Sequence, residues 1–296
     1  MNERQRGILE MSAAMLISGS IGYFVVISGQ PVANVVFWRC AIGAVALLLI
    51  CGGLGLFGRK TMTRRQIGVA VLGGLAIVAN WLLLFAAYPH ASISVATTVY
   101  NIQPFMLLGL GALFLGERIT VQKVMWLMVA FAGVILIVEG KPSQAGLTGN
   151  YTIGILLALA AAFFYALAAF AAKWLKGTPP HLVALIQVIT GTVLLAPFAD
   201  FSILPQTTGG WSVLATIGVV HTGIMYILLY GGIQKLPVHL TGALSFIYPI
   251  AAIAVDRIAF GHQLQPIQIA GSVLVLVAAA ATTLGWGWRR PIRQAA

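Results

Sequence analysis

The chain has 296 residues, of which 60% are hydrophobic and only 8% are charged, and its mean hydropathy is +0.97. A soluble protein carries roughly a quarter charged residues, so this composition excludes an ordinary soluble domain and predicts an integral membrane protein. The net charge of +11 does not indicate nucleic acid, because the basic residues stand in short segments between apolar runs.

Apolar runs of about 20 residues, the length that crosses a bilayer, follow one another along the chain. They predict an all-α integral membrane protein with ten transmembrane helices, at residues 8–27, 32–57, 66–88, 92–115, 120–138, 151–174, 180–198, 211–233, 237–260 and 265–288. The first run has the form of a signal peptide, but we expect it to be retained because nine more spans follow. Cys40 and Cys51 share one span about 16 Å apart, too far for a disulfide, and are expected to be packing residues.

The basic residues also predict the orientation. With both termini in the cytoplasm, 14 of the 17 Lys and Arg residues lie in cytoplasmic segments, while Lys141 and Arg257 lie in outer loops and Arg39 lies within the second span. Cytoplasmic loops of membrane proteins carry an excess of Lys and Arg, and one missed span would destroy this bias. The charge pattern therefore favours ten spans with both termini inside.

An internal repeat divides the chain into two halves. Residues 83–119 align without a gap to residues 228–264 at a constant shift of 145, which places Pro104 on Pro249. We predict two five-helix repeats, residues 1–144 and 145–296. Because five is odd, the second repeat enters the membrane inverted relative to the first. Transporters with inverted repeats bind their substrate near the bilayer midplane, where the repeats meet.

The fourth and ninth spans each carry a polar face beside a proline: Tyr100 and Asn101 precede Pro104, and Ser245 and Tyr248 precede Pro249. Proline leaves a carbonyl one turn earlier without its helical donor, which is costly in hydrocarbon unless another group satisfies it. The two faces therefore favour a shared, water-accessible cavity. The alternative is that the prolines kink the helices and the polar groups only bond neighbouring helices.

Polar and aromatic residues of the first, third, sixth and eighth spans extend these two faces into a predicted substrate-binding site. The site comprises Ser20, Tyr23, Asn80, Trp81, Thr97, Tyr100, Asn101, Tyr165, His221, Tyr226, Ser245 and Tyr248. A pocket of aromatic rings, hydroxyls and amides suits a neutral or zwitterionic organic solute with an apolar body.

Few ionisable residues lie deep in the spans. No carboxylate lies near a span centre, so His221 is the one mid-span group that titrates near neutrality, either as a proton carrier or as a hydrogen-bonded neutral imidazole. For Arg39 we expect a structural role. The motif GLGLFG at 53–58 matches a dinucleotide fingerprint but lacks its strand-and-helix context. The sequence shows no metal-ligand spacing and no nucleophile–base pair, so we expect no metal, cofactor or catalytic residue.

The chain resembles the EamA-type branch of the drug/metabolite transporter superfamily. The resemblance rests on two inverted five-helix halves, on Pro104 followed by Gly116-Glu117-Arg118, and on the segment FWRCAIGAVALLL at 37–49. The second half departs from this pattern with Gly261-His262-Gln263, which weakens a catalytic role for the glutamate. In detail the chain is most similar to the YddG-type bacterial exporters of aromatic amino acids.

This resemblance covers essentially the whole chain and implies a multi-pass exporter of the bacterial inner membrane. Its substrates would be amino acids, which it would export by alternating access through a central cavity. The first, third, fourth, sixth, eighth and ninth spans would line this cavity. We expect aromatic and other neutral amino acids as substrates, the lipid bilayer as the surrounding partner, no nucleic acid, and a monomer or weak oligomer. Export of other small metabolites or drugs is an alternative. A channel and an intramembrane lipid-modifying enzyme are more remote ones, the latter because a deep nucleophile or metal set is not legible.

Overall fold

The computed structural model describes residues 2–58, 62–115, 120–140, 150–175, 177–236 and 244–286. Within these ranges the chain is all-α, without strands, which confirms the all-α part of the predicted fold class. The helices in chain order are α1 (Glu3–Ile27), α2 (Val32–Gly53), α3 (Arg64–Tyr100), α4 (Gln103–Leu115), α5 (Val121–Glu139), α6 (Tyr151–Trp174), α7 (Pro180–Leu195), α8 (Thr208–Gly218), a π-helical segment (Val219–Ile224), α9 (Met225–Lys235), α10 (Ile247–Phe260) and α11 (Pro266–Leu284).

In the described part of the chain, six helical stretches are long and apolar enough to cross a membrane: α1, α2, α3, α5, residues Tyr151–Ala172 of α6, and Thr208–Leu229, which runs from α8 into α9. Large apolar side chains cover the outside of the bundle, such as Leu49 at 72% exposure and Ile258 at 85%. Such a surface is unsuited to water and suits lipid tails. The protein is therefore a multi-pass membrane protein, while the count of ten spans stays a prediction. Part of the predicted ninth span, residues 237–243, lies outside the described residues.

Helix α3 contains two helical segments that the sequence predicts as separate spans. Ser92 interrupts the helix with φ 63° and ψ 161°. The side-chain amide of Asn80 donates a hydrogen bond to the hydroxyl of Tyr100 at 3.2 Å. In a straight helix these residues would stand about 30 Å apart, so the chain must fold back at Ser92. The Ser92 hydroxyl accepts a bond from the N–H of Val95 and so caps the returning segment.

A short break at Asn101 and Ile102 separates α3 from α4. The side-chain amide of Asn101 donates a hydrogen bond to the Thr97 carbonyl at 2.7 Å. It thereby supplies a donor to a carbonyl in the last turn of α3. Pro104 is the second residue of α4, and Pro249 is the third residue of α10. At these positions a helix has no use for the N–H that proline lacks. The expectation that each proline interrupts a continuous helix is therefore wrong, because each stands in the first turn of a new helix.

Glycines allow several helices to approach closely. A Cβ added to Gly271 of α11 would lie 2.5 Å from the carbonyl oxygen of Gly133 in α5, so the two backbones are in direct contact there. In α7, a Cβ on Gly191 would lie 2.5 Å from the sulfur of Cys40. Small residues let membrane helices gain van der Waals contact that lipid cannot replace. Cys40 and Cys51 are both free and buried, in agreement with a packing role.

Candidate functional site

A cavity of about 1150 Å³ lies inside the helix bundle. Helices from both halves of the chain line it. Nine of the twelve residues predicted for the binding site line this cavity: Asn80, Trp81, Tyr100, Asn101, Tyr165, His221, Tyr226, Ser245 and Tyr248. The polar faces that precede Pro104 and Pro249 thus meet in one space.

Three predicted residues lie beside the cavity and do not line it. Ser20 of α1 is in contact with a lining residue, since its hydroxyl lies 3.0 Å from Nε2 of His221. Thr97 is completely buried among Tyr88 and Tyr248. Tyr23 packs against the ring of Phe260, with the ring centres 5.9 Å apart, and so contributes to the contact between α1 and α10.

One wall of the cavity is held by the amide of Asn80, which is 1% exposed. Besides its bond to the Tyr100 hydroxyl, this amide donates to the carbonyl of Ala161 in α6 at 2.8 Å. The rings of Tyr100 and Tyr165 meet edge to face, with centres 5.8 Å apart and planes at 74°. Because α3, its returning segment and α6 are joined by these bonds, the aromatic surface of this wall is built on a rigid base.

Another part of the cavity wall contains His221, which lies in the π-helical segment between α8 and α9 and is 1% exposed. Its Nδ1 lies 3.3 Å from the Thr216 carbonyl, and its Nε2 faces the Ser20 hydroxyl. A neutral imidazole with its proton on Nδ1 donates to Thr216, and Nε2 then accepts from Ser20 when the serine hydroxyl turns away from its other acceptor, the Ile17 carbonyl at 2.9 Å. A single wide turn of π-helix is often found at functional sites.

Arg39 is the functional candidate that the sequence analysis placed in a structural role. It lies in α2, lines the cavity and is only 2% exposed. Its guanidinium stands 4.1 Å above the ring of Trp81, a distance at which a cation and an aromatic face attract each other. Its Nη2 donates to the backbone carbonyl of His221 at 3.3 Å. The bond to a backbone carbonyl agrees with a structural role, but the side chain also lines the cavity.

Other lining residues were missed. The second and seventh spans were expected only to brace the site, yet α7 contributes Val183 and the buried amide of Gln187. Met11 and Met15 of α1, four residues apart on one helix face, add flexible apolar surface. A glutamine inside the apolar run of α7 could have indicated a lining residue from the sequence. Methionines in an apolar span could not, because they are common in such spans.

The two ends of the bundle differ. At the end where α1 begins, the cavity extends to the connection between α6 and α7, where Gly177 is exposed and lines it. An ion pair between Glu10 and Lys235, 2.6 Å long, joins α1 to α9 at this end. At the other end, α1 packs closely on α3, since a Cβ on Gly22 would lie 2.8 Å from Ile93.

A hydrogen-bonded cluster around Asp256 of α10 also closes this second end. The fully buried carboxylate accepts bonds from the N–H of Ser94 at 2.9 Å and from its hydroxyl at 2.6 Å. His262 Nδ1 lies 2.8 Å from its second oxygen. The carboxylate thus fastens α10 to the segment that returns from the Ser92 turn. Within the described residues, no group of three or more His, Cys, Asp and Glu side chains could hold a metal ion.

An all-helical bundle with a lipid-exposed surface and a large internal cavity is the architecture of a membrane transporter. The comparison with known proteins agrees. The model of the EamA-like transporter family matches residues 5–139 and 152–284, and the chain belongs to this family.

Several relatives carry transporter names. The chain is 28% identical over 283 residues to a Bacillus subtilis (strain 168) protein named as the uncharacterized transporter YxxF, with 95% of this chain and 90% of that protein covered. It is 28% identical to a probable terminal-alkyne amino-acid exporter of Streptantibioticus cattleyicolor, over 84% of this chain and 82% of that protein. It is 29% identical to the pseudopaline exporter CntI of Pseudomonas aeruginosa, over 64% of each protein.

A solved crystal structure has the same fold, with a TM-score of 0.65 at 22% sequence identity, over 94% of this chain and 96% of the other. The similarity to YddG-type exporters is not among the relationships that these comparisons establish. Family membership identifies the protein as a transporter and leaves its solute to be argued from the cavity.

Proposed function

We propose that the protein is a secondary transporter that exports amino acids, aromatic and other neutral ones, across a bacterial inner membrane by alternating access. The observation that carries this proposal is the cavity itself. Its volume of about 1150 Å³ lies slightly above the roughly 300–1000 Å³ of most ligand pockets, so an amino acid fits with its hydration water. Tyr100, Tyr165 and Trp81 offer ring faces and edges, and Asn101 and Ser245 offer polar groups.

The named relatives support export of a small organic solute. One is named as a probable amino-acid exporter, which favours an amino acid as substrate. The pseudopaline exporter supports a second candidate, export of another small metabolite, because its name gives pseudopaline as the exported solute. An enzymatic role is disfavoured, because the family consists of transporters.

For the topology we propose ten spans in two inverted repeats, residues 1–144 and 145–296, with both termini in the cytoplasm. The family model matches one segment in each of these halves, which supports the division. The chain folds back at Ser92, which supports two spans within the residues of α3. We expect a monomer or a weak oligomer in the bilayer.

With this orientation, the end at which the cavity reaches Gly177 faces the cytoplasm, and the structure is the inward-open state. The Asp256 cluster and the packing of Gly22 on Ile93 then form the closed outer side. Export requires these contacts to separate while the cytoplasmic end closes. The Glu10–Lys235 pair joins α1 and α9 at that end and moves with them.

The direct test is transport by the purified protein in proteoliposomes. Vesicles loaded with unlabelled phenylalanine should accumulate labelled phenylalanine by exchange, and the initial rate should saturate with concentration. Saturation and slow turnover would exclude a channel. A panel of labelled tyrosine, tryptophan, leucine and lysine would then define the range. Absence of exchange with every amino acid, in vesicles that hold folded protein, would contradict the proposal.

A matched pair of variants on one helix tests the role of the cavity wall. Tyr165→Ala removes a ring that lines the cavity, whereas Phe163→Ala removes an exposed ring two residues away on α6. Stacking on an aromatic ring contributes roughly 0.5–1.5 kcal/mol, so Tyr165→Ala should raise the half-saturating concentration about two- to tenfold. Phe163→Ala should leave it unchanged. Equal kinetics for both variants would place the binding site elsewhere.

A further inference from the structure

Arg39 has donors without partners. Its Nη2 donates to the carbonyl of His221, and the phenol of Tyr226 lies beside the guanidinium. Its Nε and Nη1 are buried and have no hydrogen-bond partner among the residues that the structure describes. Trp81 at 4.1 Å and Phe85 at 5.9 Å cover the guanidinium with ring faces. The side chain is thus held in place by its neighbours while part of its hydrogen-bonding capacity is unused.

A buried charge normally has a partner, because removal from water is costly. In the described part of the chain, no carboxylate lies within 4 Å of Arg39. Glu10 pairs with Lys235 and Arg6, and Asp256 is bonded to Ser94 and His262. The attraction of the Trp81 ring offsets part of the cost but supplies no counter-charge. The missing anion must therefore come from outside the described residues.

We infer that Arg39 is the site that binds the carboxylate of the transported solute. A guanidinium presents its N–H groups in a planar fork that matches a carboxylate, and such charge-assisted bonds are about twice as strong as neutral ones. This inference rests on the proposed function and narrows it, because it makes a carboxylate a requirement for binding. The inference therefore excludes amines without a carboxylate as ligands.

The surroundings select a solute with a single carboxylate. Among the described residues that line the cavity, Arg39 is the one Lys or Arg side chain. One cation balances a monocarboxylate, whereas a phosphate group would retain excess charge. The rings of Trp81 and Phe85 adjoin the guanidinium, so the carboxylate is followed by apolar surface that suits a hydrocarbon or aromatic body.

The test measures binding to the purified full chain in detergent by calorimetry, with four ligands that differ in their charged groups. Phenylalanine and 3-phenylpropionate carry the carboxylate, whereas phenylalaninamide and phenethylamine lack it. We expect 3-phenylpropionate and phenylalanine to bind, and the two amines to bind at least tenfold more weakly. This comparison uses the unaltered protein, so it does not depend on whether a variant folds.

Variants then locate the effect. Arg39→Gln should weaken binding of 3-phenylpropionate by roughly 10- to 100-fold, and Arg39→Lys should weaken it less, since the charge is kept but the fork is lost. Arg65→Gln is the matched control, because Arg65 also stands over a tryptophan, Trp174 at 5.5 Å, but does not line the cavity. It should leave binding unchanged.

The outcomes separate this inference from the proposed function. If 3-phenylpropionate binds through Arg39 but no amino acid binds, the result supports the carboxylate site and contradicts export of amino acids. If phenylalanine and phenylalaninamide bind equally, or if Arg39→Gln binds 3-phenylpropionate like the unaltered protein, the inference is overturned while export can stand. Failure of every carboxylate to bind also overturns it. Displacement of 3-phenylpropionate by phosphatidylglycerol at equal concentration would identify the anion as a lipid phosphate and would overturn it too.

Discussion

The carboxylate of Asp256 should be a major contributor to stability, and its replacement is a quantitative test of the structure. The side chain is fully buried and takes part in three contacts, with the N–H and hydroxyl of Ser94 and with His262. Asp256→Ala would leave the N–H of Ser94 buried without an acceptor. A hydrogen bond to a charged group contributes about 1.5–3 kcal/mol, so loss of the two bonds that Ser94 donates should cost about 3–6 kcal/mol.

A cost of about 3–6 kcal/mol should lower the melting temperature by roughly 6–24 °C, since each kcal/mol corresponds to about 2–4 °C in larger domains. Asp256→Asn keeps the shape and one acceptor, so its effect should lie between those of Asp256→Ala and the unaltered protein. Thermal unfolding of the detergent-purified protein, followed by tryptophan fluorescence, measures the shift.

Asp200 provides the control. It lies in the loop between α7 and α8, where bonds from the hydroxyl and N–H of Ser202 lower the pKa of its carboxyl. Its side chain is exposed and its bonds are local, so Asp200→Ala should change the melting temperature much less than Asp256→Ala. If the two variants melt at the same temperature, the Asp256 cluster does not join α10 to the returning segment of α3 in the way described here.

Three further predictions concern topology, packing and energy coupling. Single cysteines at Gly58 and Gly209, exposed positions where a Cβ meets no closer atom than 3.8 Å, should be labelled from the cytoplasmic and the outer side respectively; labelling of both from one side would refute the proposed topology. Gly271→Ala should destabilise the protein by about 1–3 kcal/mol in thermal unfolding, because its Cβ would meet a carbonyl oxygen at 2.5 Å, whereas Gly109→Ala, with open space around it, should be neutral or slightly stabilising. His221→Gln should retain most exchange of substrate in proteoliposomes without a pH gradient, because a glutamine can donate and accept the same bonds but does not titrate. Proton-driven uphill accumulation that disappears in this variant would make the histidine the coupling site.

The membrane class, most helix positions and the two polar faces could be predicted from the sequence, because hydropathy and helical spacing are local properties. Tyr100 and Asn101 follow this rule, and both line the cavity. Pro104 and Pro249 were correctly recognised as special positions but were assigned to helix interiors. Whether a proline kinks a helix or begins one depends on where the preceding helix ends. At Pro104 the preceding helix ends at the bond that the Asn101 side chain donates to Thr97.

The position of Arg39 and the π-helical turn that contains His221 show what the sequence could not predict. An arginine about two turns from the predicted outer end of a span can reach the membrane surface, so its position alone favoured a structural role. Its contact with Trp81 and with the carbonyl of His221 depends on the packing of α2 against α3 and the π-helical segment. The wide turn at Val219–Ile224 has no sequence signature, because it differs from an α-helix only in which carbonyl each N–H reaches. The three-dimensional position of the cation could therefore be found only from the structure.

The turn at Ser92 has a practical consequence for anyone who attaches reporters to this protein. Connections between helices usually tolerate inserted peptides, since they lie at the surface and pack loosely. Ala91, Ser92 and Ile93 are instead at most 6% exposed, and Ala91 also lies against Gly154 of α6. An epitope or fluorescent protein inserted there would separate two packed helical segments, whereas the exposed segment at Gln206 and Thr207 could receive one without disturbing the bundle.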